Sequence, residues 1–416
     1  MVEVASEHGY GGATVSRVVT RAGVSRAAFY GNFADREDCF RAAYRQRAQS
    51  LAARLGEVAA AAPRERPAAV LDALLVALAD DRPTAHFLLV DALGAPASVR
   101  REHEDLLACV ERRVAGFLDA QPAHGAIQIP AAALVAGVGD VLAREALADC
   151  VAGVESVRSA LTRWLDAYRL PPGVPPLAQQ CWPELGRFAK LVAASGLAEP
   201  ELLPRGTSAL AADVAARQRR RRLLDATARL CREQGYASLT VGQIAAAARV
   251  PRTAFYALFE GKREAVMAAQ TLGLQRAMAV AAAEYSPAAP WALRIWKMLR
   301  GFLGYLAEAP DYAHLDFVDS YAAGSEAVRH RHRNHMAFGL FFEDGYRRQP
   351  ADVRLPWASI GAIAGGVLGL VRKPIVAGEP ERMLAVAPAA GYTILAPFIG
   401  PQEAARQART WARGAG

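Results

Sequence analysis

One stretch of sequence occurs twice in this chain, and that repeat limits the fold more than any other feature. GVSRAAFYGNF at residues 23–33 is matched by RVPRTAFYALF at residues 249–259, 226 positions later. Further pairs keep this offset or one close to it: Gly9-Tyr10 with Gly235-Tyr236, Ala85-His86 with Ala313-His314, Val90-Asp91 with Val318-Asp319, and Val141-Leu142 with Val367-Leu368. Because matching pairs run through each half, the sequence predicts two whole domains of one fold rather than two copies of a short motif.

Helical periodicity dominates both halves. LDALLVALA at 71–79 and ALRIWKMLRGFLGYLA at 292–307 place apolar residues three and four positions apart, with little strand-like alternation. With 416 residues the chain can bury two cores, so we predict an all-α fold, built twice. Between the halves, residues 170–216 contain seven prolines and are predicted to form a linker with one short helix at 184–195.

The chain has the composition of a basic globular protein. It is 53% hydrophobic and 22% charged, and its net charge of +8 suits a polyanionic partner as well as a merely basic soluble protein. Its five cysteines are scattered without CxxC spacing, which argues against a disulfide framework or a zinc site and for a reducing compartment. No signal peptide is expected, since residues 1–10 already form an amphipathic, charged segment.

LPWASIGAIAGGVLGLV, at 355–371, is an uncharged stretch that we weighed as a membrane span. Its 17 residues are at the short end for crossing a bilayer. The counterpart at 129–145 contains Asp140, Arg144 and Glu145. We therefore expect a buried packing helix and no membrane association.

The repeated stretch has the signals of two short helices joined by a tight turn. In the first copy Thr14 and Ser25 are placed to cap the two helices, with Gly23 at the turn. In the second, Thr240 with Gln243 forms a capping box, and Pro251 stands where the next helix begins. Helix-turn-helix is a DNA-reading geometry, but a generic helix hairpin fits the pattern alone equally well.

The composition of the second helix favours DNA binding. We predict a core row and an exposed row on it: Val24, Phe29 and Phe33 inward, with Arg26, Ala27 and Tyr30 outward. An outward arginine can donate two hydrogen bonds to a guanine edge, and a tyrosine hydroxyl can reach a phosphate. A lone exposed arginine is usually just solvated, but this one recurs as Arg252 beside Tyr256.

AGVSRAAFYGNFADREDCF at 22–40 and TVGQIAAAARVPRTAFYALFEGKREAV at 240–266 each resemble the DNA-binding domain of the tetracycline-repressor-like (TetR) family. The resemblance implies a three-helix head on a helical body that binds ligand and dimerises. By position it implies phosphate contacts from Thr14, Tyr30, Arg36, Thr240, Tyr256 and Lys262. It also implies contacts to bases or the adjoining backbone from Ser25, Arg26, Ala27, Pro251, Arg252 and Thr253.

These observations divide the chain into five segments: a first head at 1–47, a first body at 48–169, the linker at 170–216, a second head at 217–272 and a second body at 273–416. The first head departs from the pattern. The second head has RRRRLLDATARL at 219–230 in its first helix, whereas only MVEV, at 1–4, aligns with the end of this stretch in the first head. The first helix of the first head is therefore expected to be truncated. In the second head, Arg249 replaces the turn glycine.

The resemblance implies pairing through the last helices of each body, near 130–168 and 356–399. We expect the two halves to pair with each other as a covalent pseudo-dimer. Because the heads differ, at Ala27 against Thr253 for example, the operator would be an imperfect palindrome. A homodimer in which like halves meet, with four heads, remains open.

A small-molecule effector is also implied by the resemblance. Aromatic residues of the second body are candidates to line its pocket: Trp296, Phe302, Tyr305, Phe317 and Tyr321. Core packing is the more common use of any one of them. HRHRNH at 330–335 is interpreted as a solvated basic helix in preference to a metal site, and no cofactor is expected.

An enzyme is the competing class. GxSxG, GxxxxGK[ST] and HExxH are absent from the sequence, and GAIAGG at 361–366 lacks the preceding strand of a dinucleotide-binding loop. We therefore predict a non-enzymatic, cytoplasmic, bacterial transcription regulator, with repression as the expected mode. The remaining alternative is a small-molecule sensor or interaction module in which one or both heads no longer bind DNA.

Overall fold

The computed structural model describes residues 1–61, 66–120, 126–148, 153–171, 209–285, 288–349 and 354–414. Across these ranges the regular structure is helical, apart from an isolated antiparallel bridge between Ile127 and Arg169. The predicted all-α fold, with two tandem units of one architecture, is confirmed. The short helix predicted at 184–195 lies outside the described residues.

The first half contains ten α-helices in the described ranges. They are α1 (Val2–Gly12), α2 (Val15–Ala22), α3 (Arg26–Tyr30), α4 (Arg36–Ala61), α5 (Arg66–Asp80), α6 (Arg82–His86), α7 (Ala92–Gly94), α8 (Ala97–Asp119), α9 (Ala131–Leu147) and α10 (Val154–Asp166). A π-helical turn, π1 (Phe87–Asp91), joins α6 to α7.

The second half repeats this order with longer helices at its start and end. Its α-helices are α11 (Ala209–Ser238), α12 (Val241–Ala247), α13 (Arg252–Tyr256), α14 (Lys262–Glu284), α15 (Trp291–Glu308), α16 (Pro310–His314), α17 (Ser320–Ala322), α18 (Ser325–His335), α19 (Glu343–Arg348), α20 (Trp357–Ala377), α21 (Ala387–Ile399) and α22 (Pro401–Gly414). A second π-helical turn, π2 (Leu315–Asp319), joins α16 to α17, and 3₁₀ helices span Met336–Phe342 and Pro380–Val386. Since α11 begins at Ala209, the boundary proposed between 216 and 217 falls inside a helix.

Each head shares an apolar cluster with its own body. In the first half, Phe40 and Tyr44 of α4 lie in one cluster with Phe87 of π1 and Val99 of α8. The second head packs in the same way against Leu315 of π2. The heads are therefore fixed to the bodies by buried side chains rather than by a flexible connection.

The two bodies form one continuous core, and its centre is the antiparallel packing of α9 against α20. Three side chains of α9, spaced four residues apart, each lie over a glycine of α20. A Cβ atom at the glycine would fall 2.0 Å from Arg144 Nη2 at Gly361, 2.5 Å from Asp140 Cβ at Gly365 and 2.0 Å from Ala136 Cβ at Gly369. We call Gly361, Gly365 and Gly369 the glycine row, because these glycines permit the close approach.

Hydrogen bonds also cross between the halves. Tyr168 Oη donates to the carbonyl of Thr393 at 2.6 Å, and Tyr392 Oη donates to the carbonyl of Gln128 at 2.5 Å. Ser359 Oγ donates to the carbonyl of Ala160 at 2.8 Å. These bonds join side chains of one half to main-chain groups of the other.

The stretch that we weighed as a membrane span belongs to this core. Two segments, Ala358–Ala377 and Pro380–Ile399, are long and apolar enough to cross a bilayer, but 67% and 72% of their residues in the most apolar window are buried inside the protein. Their apolar surface is therefore used in packing, as the sequence indicated for the first of them.

The interpretation of HRHRNH as a solvated helix is wrong. Arg331, His332 and His335 of α18 are only 3%, 7% and 6% exposed. His335 Nε2 lies 2.6 Å from Asp316 Oδ2, and His332 Nε2 lies 3.4 Å from Asp140 Oδ1. Carboxylates from distant segments thus accompany the basic residues into the core. No group of three or more His, Cys, Asp or Glu residues in the described part of the chain is arranged to hold a metal ion.

Candidate nucleic-acid interface

Side-chain caps begin three of the four helices of the predicted DNA-binding motif, and α13 begins after Pro251 without one. In the second head, Thr240 Oγ1 accepts from the backbone N–H of Gln243 at 3.2 Å, and Gln243 Oε1 accepts from the N–H of Thr240 at 2.8 Å. This is the predicted capping box. In the first head, Thr14 and Ser25 cap α2 and α3 by accepting from Arg17 N at 3.4 Å and Ala28 N at 3.0 Å.

The turn between the two helices needs a left-handed residue in both heads. Gly23 has φ 65°, which costs glycine little. Arg249 occupies the same position with φ 53° and is the only non-glycine residue with positive φ in the described part of the chain. The backbone geometry of the turn is therefore kept, and the second head carries the local strain of a left-handed arginine.

The short second helix, α3 or α13, exposes the predicted tyrosine in each head. Tyr30 is 58% exposed and Tyr256 is 54% exposed. Each ring is held edge-on against a buried neighbour, Phe29 at 5.3 Å or Phe255 at 5.6 Å between ring centroids. Packing against the aromatic core thus orients an exposed tyrosine side chain at equivalent positions of the two heads.

Most of the other predicted contact residues are also exposed. The exposed set is Thr14, Ser25, Arg26, Ala27 and Tyr30 in the first head, and Thr240, Pro251, Arg252, Thr253 and Tyr256 in the second. The structure therefore brings these side chains to the surface at the helix-turn-helix of each head. Their contacts with DNA stay a prediction.

Arg36 and Lys262 have partners within the protein. Lys262 Nζ donates to the carbonyls of Tyr236 at 3.0 Å and Leu239 at 2.9 Å, and it lies 4.4 Å from the centre of the Tyr236 ring. Arg36 Nη1 donates to the carbonyl of Tyr10 at 3.3 Å and lies over the Tyr10 ring. Burial lowers the pKa of the Lys262 ammonium. Both cations stabilise the carbonyl end of the first helix, a role that the sequence did not reveal.

One predicted core residue of the first head is exposed. Val24 is 46% exposed, whereas its counterpart Val250 is 5% exposed. Phe33 is only partly buried, whereas its counterpart Phe259 is 3% exposed and lies under the guanidinium of Arg220. Arg220 of α11 thus adds cover to Phe259, and the equivalent apolar positions of the first head are more exposed.

A histidine–aspartate pair spans the π-helical turn in each half. His86 Nδ1 lies 2.8 Å from Asp91 Oδ2, and His314 Nδ1 lies 2.8 Å from Asp319 Oδ2. Asp319 Oδ1 also accepts from the backbone N–H of Tyr236, at 3.1 Å, where α11 bends at Gly235. The pair therefore ties the second head to its body.

These pairs were visible in the sequence only as repeated dipeptides without an assigned role. The spacing of five residues between histidine and aspartate is the same in both halves, and this was the signal in the sequence that could have identified the pairs. It was missed because a side-chain pair five residues apart does not share a face of a regular α-helix, and the π-helical turn that brings it together has no clear sequence pattern.

Cavities lie in both bodies. One of about 120 Å³ in the first half is lined mainly by apolar side chains, including Leu78, Leu142 and Val157. A smaller one of about 20 Å³ in the second half is lined by three of the five aromatic residues predicted for the effector pocket: Phe302, Tyr305 and Phe317.

The other two predicted pocket residues have different surroundings. Trp296 is 1% exposed and stacks on Trp411 at 5.1 Å between ring centroids. Tyr321 accepts a hydrogen bond of 3.0 Å from Arg331 Nη1. Neither residue belongs to the lining of the 20 Å³ cavity.

Comparisons with known proteins agree with the geometry of the heads. A model of the family described as "Bacterial regulatory proteins, tetR family" matches residues 2–43 and 223–269. Both matched segments contain the helix-turn-helix with its left-handed turn. No curated protein matches the chain.

Solved structures that match parts of the chain include the fatty acid degradation regulator FadR from Bacillus halodurans, with 16% identity, a TM-score of 0.37, and coverage of 42% of this chain and 94% of that one. A TetR family transcription regulator from Marinobacter aquaeolei has 15% identity and a TM-score of 0.34, over 42% of this chain and 97% of that one. A TetR-like regulator from Rhodococcus sp. RHA1 has 18% identity and a TM-score of 0.32, over 46% and 96%. On the evidence of the two matched segments, the chain carries the N-terminal unit of the tetR family of bacterial regulatory proteins twice.

Proposed function

We propose that this protein is a ligand-responsive transcriptional repressor whose two heads bind one imperfectly palindromic operator. The observation that carries this proposal is the repetition of one exposed set, since Arg26 and Tyr30 recur as Arg252 and Tyr256 on the short second helix of each head. The heads differ at the neighbouring position, Ala27 against Thr253, so the two half-sites should differ. We further propose a cytoplasmic, non-enzymatic regulator that works without a cofactor.

The unequal packing of α9 and α20 supports pairing of the two halves within one chain. Arg144 and Ala136 of the first half lie over Gly361 and Gly369 of the second. Two first halves could not repeat this fit, because the larger residues Val135 and Ala143 stand at the positions equivalent to these two glycines. An intramolecular pseudo-dimer therefore agrees with this packing better than a homodimer of like halves.

The cavity of the second body supports the ligand response. Asp316 lines the cavity, and Asp319, three residues further along π2, holds the N–H of Tyr236 in the second head. A molecule that displaces π2 would therefore act on the hydrogen bond that ties head to body.

The test is selection of binding sites from genomic DNA fragments with wild-type protein, Arg26→Ala and Arg252→Ala. Arg113→Ala, at an exposed position of α8, is the matched control for loss of one positive charge. Losing one base contact costs about 1–3 kcal/mol at one position, so each head variant should relax one half of an imperfect palindrome. The control should keep the wild-type motif.

Other outcomes have definite meanings. A perfect palindrome that depends on Arg252 alone would contradict the pseudo-dimer and assign recognition to the second head. Absence of any enriched sequence at low salt would overturn the regulator itself.

A second function is favoured by the exposed core of the first head. Because Val24 and Phe33 are incompletely covered, the first head is the one expected to have lost DNA binding if only one has. The protein would then be a ligand sensor with one working head. Retention of the wild-type motif by Arg26→Ala, together with its loss in Arg252→Ala, would identify this case.

A further inference from the structure

We propose that the effector site lies in the second half only, and that it takes an uncharged molecule with one hydrogen-bonding group on an apolar body. This inference rests on the ligand response proposed above and specifies its site and its ligand class.

The polar end of the site is Gln270. Its side chain is 2% exposed, it lines the cavity of the second body, and neither its amide nitrogen nor its amide oxygen has a hydrogen-bond partner. His335 Nδ1, also at the lining, is likewise without a partner. Buried amides are almost always paired, so an amide with both ends free faces the cavity ready to donate and to accept.

The charged groups near the cavity already have partners within the protein. Asp316 is accompanied by His335 at 2.6 Å and by Arg331 at 4.0 Å. Arg276 lies 3.2 Å from Asp225, which also accepts from the Tyr312 hydroxyl at 2.5 Å. A charged ligand would lose its hydration without gaining an unpaired counter-charge, and this cost selects against ions.

The apolar end of the site is closed by two phenylalanines. Phe302 and Phe338 meet edge-on, with ring centroids 4.7 Å apart, between this cavity and a second, apolar one of about 20 Å³. Each cavity has room for about one water molecule. Since Phe338 lies on the 3₁₀ helix Met336–Phe342, a ligand ring would occupy the space that opens when Phe338 turns away.

The equivalent place in the first half is filled. Tyr44 stands where Gln270 stands, and its hydroxyl is paired with His103 Nδ1 at 2.9 Å. Leu88 replaces Asp316 when the π-helical turns are aligned. Leu106 replaces His335 when Val99 and His103 are aligned with Val328 and His332. Both leucines pack in the apolar cluster of the first head, so the polar site is specific to the second half.

The experiment measures binding of four probes of similar size to the full chain: benzamide, toluene, benzoate and benzylammonium. Dissociation constants are obtained by calorimetry for wild type and for Phe338→Ala, which opens the apolar end. We expect benzamide to bind more tightly than either ion, and Phe338→Ala to strengthen its binding. In Gln270→Met, which keeps the side-chain volume, the preference for benzamide over toluene should fall about three- to tenfold, the worth of one neutral hydrogen bond.

Two control variants address the first half. Tyr44→Phe changes the counterpart of Gln270, and Val157→Met places the side chain of the corresponding Met383 into the wall of the 120 Å³ cavity. Both should leave the preference for benzamide unchanged. Dependence of the preference on either control would place the site in the first half and overturn the inference.

The remaining outcomes also test the inference. Tighter binding of benzoate or benzylammonium would contradict the ligand class, and equal preference in wild type and Gln270→Met would remove Gln270 from the site. Failure of all four probes to bind even Phe338→Ala would mean that the cavity holds only water. Because these measurements contain no DNA, such failures leave the operator selection described above standing, and a failed selection leaves the probe result standing.

Discussion

At the scale of single residues, two buried histidines at equivalent positions make the fold sensitive to acid. Burial lowers the pKa of His103, with a further contribution from the Arg372 charge, and burial likewise lowers that of His332; both pKa values fall to about 3. In the unfolded chain each imidazole has a pKa near 6.5, so the unfolded state binds more protons between these values. Stability is therefore fully present above pH 6.5 and is lost as the pH falls toward 3.

We predict that lowering the pH from 7 to 5 costs about 2 kcal/mol of unfolding free energy for each of these histidines. His103→Gln and His332→Gln, which cannot be protonated, should each reduce that loss by this amount. Urea unfolding at the two pH values measures it, with exposed His8→Gln as the control. An unchanged loss in both buried variants would show that these histidines do not titrate on unfolding.

At the scale of helices, the glycine row determines how closely α9 and α20 approach. We predict that Gly369→Ala lowers the unfolding free energy by about 1–3 kcal/mol, because its Cβ would lie 2.0 Å from that of Ala136. The matched control is Gly139→Ala in α9, where a Cβ has no heavy atom within 4 Å. The control should be neutral or stabilise by up to about 1 kcal/mol through helix propensity. Equal effects of the two substitutions on urea unfolding would contradict close packing along the row.

Local signals in the sequence predicted the helices of the heads well. Thr240 with Gln243, Ser25, and the left-handed position shared by Gly23 and Arg249 act through neighbours in the chain, so spacing alone reveals them. Tyr30 and Tyr256 were correctly predicted to point outward, since helical periodicity determines their side of a short helix.

Features that depend on distant partners were not predictable. Val24 has the spacing of a core residue, but it is 46% exposed whereas its counterpart Val250 is 5% exposed, so burial at this position depends on what surrounds it in each head. His332 belongs to a basic run, yet it is buried because Asp140 of the other half lies beside it. The free amide of Gln270 could not be inferred either, because it depends on what α14, α15 and π2 leave unfilled around it.

At the scale of the whole molecule, the proposed pseudo-dimer makes a definite prediction about stoichiometry. One chain of 44.4 kDa should bind one operator duplex, and the binding curve should have a Hill coefficient of about 1, since both heads arrive together. Native mass spectrometry of the complex with the selected operator measures the ratio. Two chains on one duplex would instead support the homodimer with four heads.

The pairing of Arg144, Asp140 and Ala136 with three glycines also bears on how the regulator behaves among its relatives. A separate chain whose helices lack this match would pack less closely against α9 or α20, so mixed assemblies with such a chain would be disfavoured. For the proposed single-chain regulator no assembly equilibrium precedes DNA binding. Promoter occupancy would then rise in proportion to the amount of protein, rather than with its square, and would be insulated from the abundance of other repressors in the cell.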